Sequence, residues 1–360
     1  MSADRTGILD VPRPDFLAWL EKHGQAKMRL RQIHHWLVVG RAESFEQMTN
    51  LPRALRGELE AAFRPLGTRI ETHQEARDGT HKLLLRLHDD QFIECVLLQE
   101  DARRTACIST QVGCGMGCVF CASGLNGVVR NLTPGEILEQ LLRLRNLLPA
   151  GERLSHIVVM GMGEPLANLD NLLEALAVAC DRDGLNIGAR HITISTVGLP
   201  AKIRRVADLG KQYHLAVSLH APNDALRSKI VPTNPKTGLV DILTAADYFY
   251  AKTGRQLTFE YVLLADVNDR PEHARELVTL LRGRQALVNV IPFNEVAGLP
   301  YRMPAPNALA NFTSVLRQGG ISIKVRKRKG SEIDAACGQL RRRVTEPTEG
   351  LQSLGMVNPA

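Results

Sequence analysis

The stretch Thr105-Ala-Cys-Ile-Ser-Thr-Gln-Val-Gly-Cys-Gly-Met-Gly-Cys-Val-Phe-Cys121 decides how the chain reads. Residues 105–111 are β-rich and predict a strand. The strand runs straight into three cysteines, Cys114, Cys118 and Cys121, held within eight residues at the spacing CxxxCxxC. From this point the pattern alternates. Further strands are predicted at 156–161, 191–196, 214–219, 257–263, 287–291 and 321–326. Helices are predicted at 134–148, 169–180, 200–209, 240–252, 270–282 and 307–318. Six strand–helix units imply an α/β fold with a parallel sheet and right-handed crossovers. Two units are missing for a closed eightfold barrel. The expectation is a partial, open (β/α)6 barrel whose strand-end loops build the active site.

Upstream, residues 1–75 read as a small helical domain, with apolar residues at helical spacing in 15–23, 32–39 and 51–63. Lys27, Arg29 and Arg31 precede His34, His35 and Trp36. Such a module either contacts nucleic acid or packs on the main domain. Residues 76–104 predict a linking β-hairpin, with strands at 81–87 and 91–98 and a turn at Asp89-Asp90. Glu94 sits in the second strand between Ile93 and Cys95; alternation alone turns it to solvent, unless it has a chemical task. The main domain runs over 105–343 and a tail over 344–360.

The chain has 360 residues, 44% hydrophobic and 23% charged, which excludes a wholly disordered chain. No run approaches the ~18 apolar residues of a membrane span. The first residues lack the apolar core of a secretory signal, so a cytoplasmic location is expected. Seven cysteines in a reducing compartment argue against a structural disulfide framework. The net charge of +7 is concentrated in 321–343, where eight Lys and Arg face only Glu332 and Asp334. That segment is either a solvated face or an attraction for a polyanion.

Three clustered thiolates hold soft metal, either an iron–sulfur cluster or zinc. A structural zinc site needs a fourth ligand, here a distant cysteine or histidine. An iron–sulfur cube on three cysteines leaves one iron open. Gly113, Gly115, Gly117 and Gly124 let the backbone wrap closely around such a group. Taken singly, Cys107 and Cys337 read as small core hydrophobes, as do Cys95 and Cys180.

The CxxxCxxC motif with Phe120 before its last cysteine resembles the radical S-adenosylmethionine (SAM) enzymes. Within them the chain resembles the RlmN/Cfr family of RNA adenine methyltransferases. The likeness covers Cys107-Ile-Ser-Thr-Gln-Val-Gly-Cys114, Arg130-Asn-Leu132, Gly161-Met-Gly-Glu-Pro-Leu166, Ser218-Leu-His-Ala-Pro-Asn-Asp224, Ile230-Val-Pro232, Glu260-Tyr261, Val267-Asn-Asp269, Asn289-Val-Ile-Pro-Phe-Asn294 and Ile333-Asp-Ala-Ala-Cys-Gly-Gln339, in family order. The resemblance implies a 4Fe–4S cluster on Cys114, Cys118 and Cys121, and SAM contacts from Gly163, Glu164, Ser195, Ser218, Leu219, His220 and Asn294. It implies that Cys337 carries a methyl group as S-methylcysteine, that Cys107 resolves the RNA adduct through a transient Cys107–Cys337 disulfide, and that Glu94 accepts a proton. It further implies two SAM per turnover, 23S rRNA and tRNA as substrates, a flavodoxin-type electron donor and, by default, a monomer. The RlmN branch methylates carbon 2 of adenine; carbon-8 methylation in the manner of Cfr shares the same cysteines. Two other readings stay open: a non-catalytic, zinc-stabilised RNA-binding module, and a radical SAM enzyme acting on a small molecule.

Overall fold

The computed structural model describes residues 5–340. Three helices come first: α1 (Arg13–Lys22), α2 (Met28–Val38) and α3 (Arg53–Ala62). Pro12 and Pro52 immediately precede α1 and α3, where a missing N–H costs nothing. Their apolar faces, including Phe16, Leu20, Ile33, Leu37, Leu55 and Leu59, are buried together.

The helical part stops at Ala62, and 69–75, expected to belong to it, form strand β1 (Arg69–Glu75). β1 pairs antiparallel with β2 (His81–Arg86), which pairs with β3 (Phe92–Glu100). The predicted hairpin is therefore present but does not merely link. β3 pairs antiparallel with β4 (Arg103–Cys107), so the three strands extend the main sheet. The free edge of β4 needs hydrogen-bonding partners, and β3 supplies them.

The alternation then unfolds as predicted. Its strands are β4, β7 (His156–Val159), β8 (Ile192–Thr196), β9 (His214–Ser218), β10 (Leu257–Leu263), β11 (Ala286–Pro292) and β12 (Ser322–Val325), all parallel. The crossovers contain α4 (Pro134–Asn146), α5 (Leu169–Cys180), α6 (Pro200–Asp208), α7 (Asp224–Ile230), α8 (Leu239–Thr253), α9 (Pro271–Leu281) and α10 (Pro306–Gln318). Between β4 and α4 a small antiparallel ribbon, β5 (Gln111–Gly113) and β6 (Val128–Asn131), brackets the cysteine loop. The expected strand 105–111 is thus broken after Cys107. α7 and the ribbon are too short to show a period in the sequence. Strand order β1-β2-β3-β4-β7-β8-β9-β10-β11-β12 leaves the sheet open, a partial barrel.

Helix α4 shows how local sequence sets a boundary. Thr133 accepts the Glu136 N–H at 3.0 Å, and Glu136 accepts the Thr133 N–H at 3.0 Å, with Pro134 between them. α4 is also where the N-terminal helices dock. Glu139 accepts from the backbone N–H of Gly67 and Thr68, both at 2.7 Å, and Arg145 donates to the carbonyls of Leu37 and Val38. The N-terminal module therefore packs on the main domain through one face.

Candidate active site

The carboxyl ends of the parallel strands meet the cysteine loop around a cavity of about 150 Å³. Cys114, Cys118 and Cys121 line it together with Cys337, which lies 216 residues after Cys121. Gly163, Glu164, Ser195, Ser218, His220 and Asn294 line it as well. Leu219, Cys107 and Glu94 do not. Leu219 is fully buried in the core, its N–H donating to the Glu260 carbonyl at 3.0 Å. Any contact it makes to a ligand would come from its carbonyl, which already accepts from Arg227 at 3.1 Å. Cys107 stands directly behind the cavity. Burial and the neighbouring Cys337 push its thiol up to about 12, against the pull of Arg326.

The cysteine loop is held from three sides. The Cys114 N–H donates to Gly127 at 3.0 Å, the Val119 N–H to Ile230 at 3.1 Å, and the Ala122 N–H to the Gly338 carbonyl at 2.8 Å. The last bond ties it to the strap that carries Cys337. Asn294 Nδ2 donates to the Cys337 carbonyl at 3.1 Å, and Ser123 Oγ to the Leu340 carbonyl at 2.6 Å. Burial raises the thiols of Cys114, Cys118 and Cys121, so a metal group binding there displaces protons.

The donor set fits an iron–sulfur cube. Among the described residues no three His, Cys, Asp or Glu side chains converge to hold one metal ion. A cube asks for less convergence, because each thiolate binds a different iron. The cavity is smaller than the ~300–1,000 Å³ of a pocket for a drug-sized ligand.

The loop after β7 is held against the one after β4. A Cβ on Gly161 would come within 2.6 Å of Ser109 Oγ, and one on Gly163 within 2.7 Å of Gln111 Cβ. Gly163 also has φ +104°, where L side chains are strained. The resemblance assigns Gly163 to SAM; here Gly161 and Gly163 admit residues 108–111 of the chain itself. Glu164 follows, buried, accepting from Leu166 at 3.0 Å and Val197 at 2.8 Å, with burial holding its carboxyl above the usual range. The Thr196 side chain hydrogen-bonds the carboxylate as well, so one oxygen keeps a lone pair for a ligand ammonium. His220 is also buried, with φ +59°. Its Nδ1 accepts the Val262 N–H at 3.1 Å, and burial lowers its pKa to about 3, so the imidazole is neutral.

Glu94 is 2% exposed, which overturns the solvent-facing expectation. Opposed positions across a sheet share a face. Pairing of Lys82 with Val96, Leu84 with Glu94 and Val96 with Cys107 puts Lys82, Glu94 and Cys107 on one face. Cys95 alternates to the other face, fully buried, and Cys180 is half-buried at the edge of the core. Lys82 Nζ lies 3.1 Å from Glu94 Oε1 and 3.4 Å from the Asp334 carbonyl, three residues before Cys337. The Glu94 carboxylate therefore looks toward the strap. Lys82→Ala is expected to destabilise the fold by about 3–5 kcal/mol, because it takes an ammonium away from a buried carboxylate; a denaturant titration with an unchanged midpoint would show the pair to be dispensable.

Three residues, Arg227 and Glu260 buried and Arg326 half-buried, escaped the sequence reading as site components. Arg227 donates to the carbonyls of Val197 (2.6 Å), Ser218 (3.0 Å) and Leu219 and to Asn234 Oδ1 (2.7 Å), bracing the loops after β8 and β9. Burial lowers its pKa to about 10, so it still carries its charge close to Cys118 at neutral pH. Arg326 and Glu260 line the cavity, with Asn289 donating to Glu260 at 2.9 Å. Arg326 read only as one charge of the basic segment, and a single alternating strand gives no sign of which face becomes the cavity wall.

Three cysteines on the loop after the first parallel strand, under an open α/β barrel, define a radical SAM enzyme. The sequence model of the Radical SAM superfamily matches residues 108–278, and that of the "Ribosomal RNA large subunit methyltransferase N-terminal domain" matches residues 6–64. The chain is 58% identical over 324 residues to a "Probable dual-specificity RNA methyltransferase RlmN" of Rhodopirellula baltica, covering 90% of this chain and 87% of that one. It is 42% identical to the protein of the same description from Bacillus licheniformis, covering 95% of each. The crystal structure of a radical SAM methyltransferase from Sphaerobacter thermophilus superposes with a TM-score of 0.89 at 40% identity, covering 93% of this chain and 99% of that one. The chain belongs to the RlmN family of radical SAM methyltransferases, whose cofactors are a 4Fe–4S cluster and SAM.

Proposed function

We propose that this enzyme methylates carbon 2 of a specific adenine in 23S rRNA and of the adenine beside the anticodon in tRNAs. Convergence of Cys337 with the three-cysteine loop in one cavity carries the reading. Adenine carbon 2 is electrophilic and does not attack a methyl sulfonium, so a methyl carrier beside a radical source is the arrangement the reaction needs. Cys114, Cys118 and Cys121 hold the cluster, which when bound supplies the electron that cleaves SAM to a 5′-deoxyadenosyl radical. Gly163, Glu164, Ser195, Ser218, Leu219, His220 and Asn294 position SAM, Glu164 as the partner of its ammonium.

Cys337 takes a methyl from one SAM as S-methylcysteine. Loss of a hydrogen from that methyl to the radical of a second SAM lets the carbon add to the adenine ring. Glu94, aimed at the strap by Lys82, would accept the proton from the ring carbon while the adduct radical gives up one electron to the bound cluster; the Cys107 thiolate would then attack the Cys337 sulfur, forming the disulfide as the sulfur–methylene bond breaks and the methylene carbon takes a proton. All seven cysteines are free thiols in the structure, so the disulfide is not a resident bond. Cys107→Ala is expected to accumulate a covalent protein–RNA adduct visible on a denaturing gel; free methylated RNA from that variant would contradict the resolving role.

Lys324, Lys327, Arg328 and Lys329, on and just after β12, would guide RNA phosphates toward Cys337; Arg341, Arg342 and Arg343 lie outside the described residues. A target base has to leave its stack to reach a cavity this enclosed. The helices within 1–75 serve as the RNA-binding module, the hairpin within 76–104 joins it to the core of 105–343, and a flavodoxin-type protein supplies electrons to a cytoplasmic monomer. No helix among the described residues is long and apolar enough to cross a membrane. Mass spectrometry of nucleosides from rRNA and tRNA of a deletion strain tests the proposal. Loss of 2-methyladenosine from both is expected; loss of 8-methyladenosine instead would shift the assignment to the Cfr reaction.

A further inference from the structure

The opposite end of the parallel sheet carries a second, larger cavity of about 720 Å³. Its walls come from the turns leading into β7, β8 and β9. They include Arg153, His156, Arg190, His191 and Lys211 and no aspartate or glutamate. The sequence puts a basic residue at the start of one strand after another. Arg103 opens β4, His156 opens β7, His191 precedes β8, His214 opens β9 and Arg255 stands two residues before β10. Parallel neighbours lie about 4.8 Å apart, so residues at the same end of successive strands form a row.

The row is in contact. His191 Nδ1 lies 3.2 Å from His156 Nε2, and the two rings meet edge to face at 4.7 Å. Arg190 Nε donates to His191 Nε2 at 3.3 Å, and Arg255 donates to His214. Burial and then Arg190, Arg103, Arg153 and Arg255 hold His191 below its usual range; burial, His191, Arg103 and His214 do the same for His156. No carboxylate is among these influences. Glu152, next to Arg153 in the chain, is occupied by Arg104 at 2.6 Å. Three permanent positive charges, on Arg153, Arg190 and Lys211, thus line a concave wall with no counter-charge in its lining, and Arg103 and Arg255 lie close enough to bear on His191 within it. Repulsion among them costs stability, and an anion removes that cost. Arginine forks match phosphate oxygens bidentately.

We propose that this cleft binds phosphate groups, either those of a bound RNA chain or those of a free oligophosphate. The RNA source rests on the function proposed above; the free oligophosphate does not. β4 from Arg103 to Cys107 covers only about 13 Å at 3.3 Å per residue, so a folded RNA presented to the cysteine cavity can also reach this rim.

The test uses the full-length enzyme and its R153Q/R190Q/K211Q variant, with RNA-independent SAM cleavage as the check that the site is intact. Two probes are used: inorganic pyrophosphate by calorimetry, and a tRNA transcript bound across about 50–200 mM salt. Pyrophosphate is expected to bind the wild type and to bind the variant at least tenfold more weakly. If RNA is the source, the salt slope also falls by about 2, at ~0.7 per lost contact, and tRNA binds roughly 100-fold more weakly at 0.1 M salt. If a free oligophosphate is the source, pyrophosphate binding falls and the RNA slope stays. Equal behaviour of wild type and variant toward both probes overturns the proposal. Should the triple variant fail to fold, exposed Lys211→Gln alone serves, with weaker pyrophosphate binding or a slope change of ~0.7 expected and neither change overturning it.

Discussion

Cys118→Ala is expected to purify without iron and to cleave no SAM above background, while its unfolding midpoint moves little. Cys118 is one of three thiols in the loop after β4, and its backbone, not its sulfur, carries the turn: its carbonyl accepts the Cys121 N–H at 3.1 Å. Alanine keeps that bond. With two thiolates left, an iron–sulfur cube has two corners without protein ligands, and retention of the cube fails. Iron and acid-labile sulfide assays after anaerobic reconstitution check this. A variant that retains a full complement of both would remove Cys118 from the ligand set.

Cys337→Ala separates two activities that wild-type enzyme couples. The strap is held by backbone groups, the carbonyls of Cys337 and Gly338 and the Gln339 side chain, which donates to Glu295 at 2.8 Å. None of these involves the Cys337 sulfur, so the strap stays in place. Cluster loading and SAM cleavage are expected to persist, and RNA methylation to fall below detection, because no sulfur is left to carry the methyl. Mass spectrometry of a protein digest provides the second readout: a methylated cysteine elsewhere in the variant would move the carrier to that residue.

The helices of the alternating region were legible because each buries a stripe at a 3.6-residue period. α5 (Leu169–Cys180) was predicted to the residue, and most other boundaries fell within two. The parallel strands read as apolar runs for the same reason: both faces are covered. What the pattern missed lacks a period. β1, mostly exposed polar residues, carries no apolar alternation, and its place comes from pairing with β2. The β5–β6 ribbon exists because Gly113, at φ +79°, packs against Gly127, where a Cβ would lie 2.1 Å from the Gly127 oxygen.

The basic surplus teaches the same lesson. The run at 321–343 was visible because its charges adjoin in sequence. The larger cationic cleft draws Arg153, Arg190 and Lys211 from three separate connections, and no window of sequence contains it. Only a parallel sheet, which delivers the starts of successive strands to one rim, assembles it.

The order of motifs along the chain was enough for the resemblance to the family, and the resemblance implied the cofactors, because each motif is a local run of residues; thiol spacing by itself left iron–sulfur and zinc both open. Which way Glu94 points, what Lys82 neutralises and why Arg326 faces a thiol rather than water were decided only by the folded sheet. A strand's alternation says that its two faces differ; the neighbours it pairs with say which face is inside.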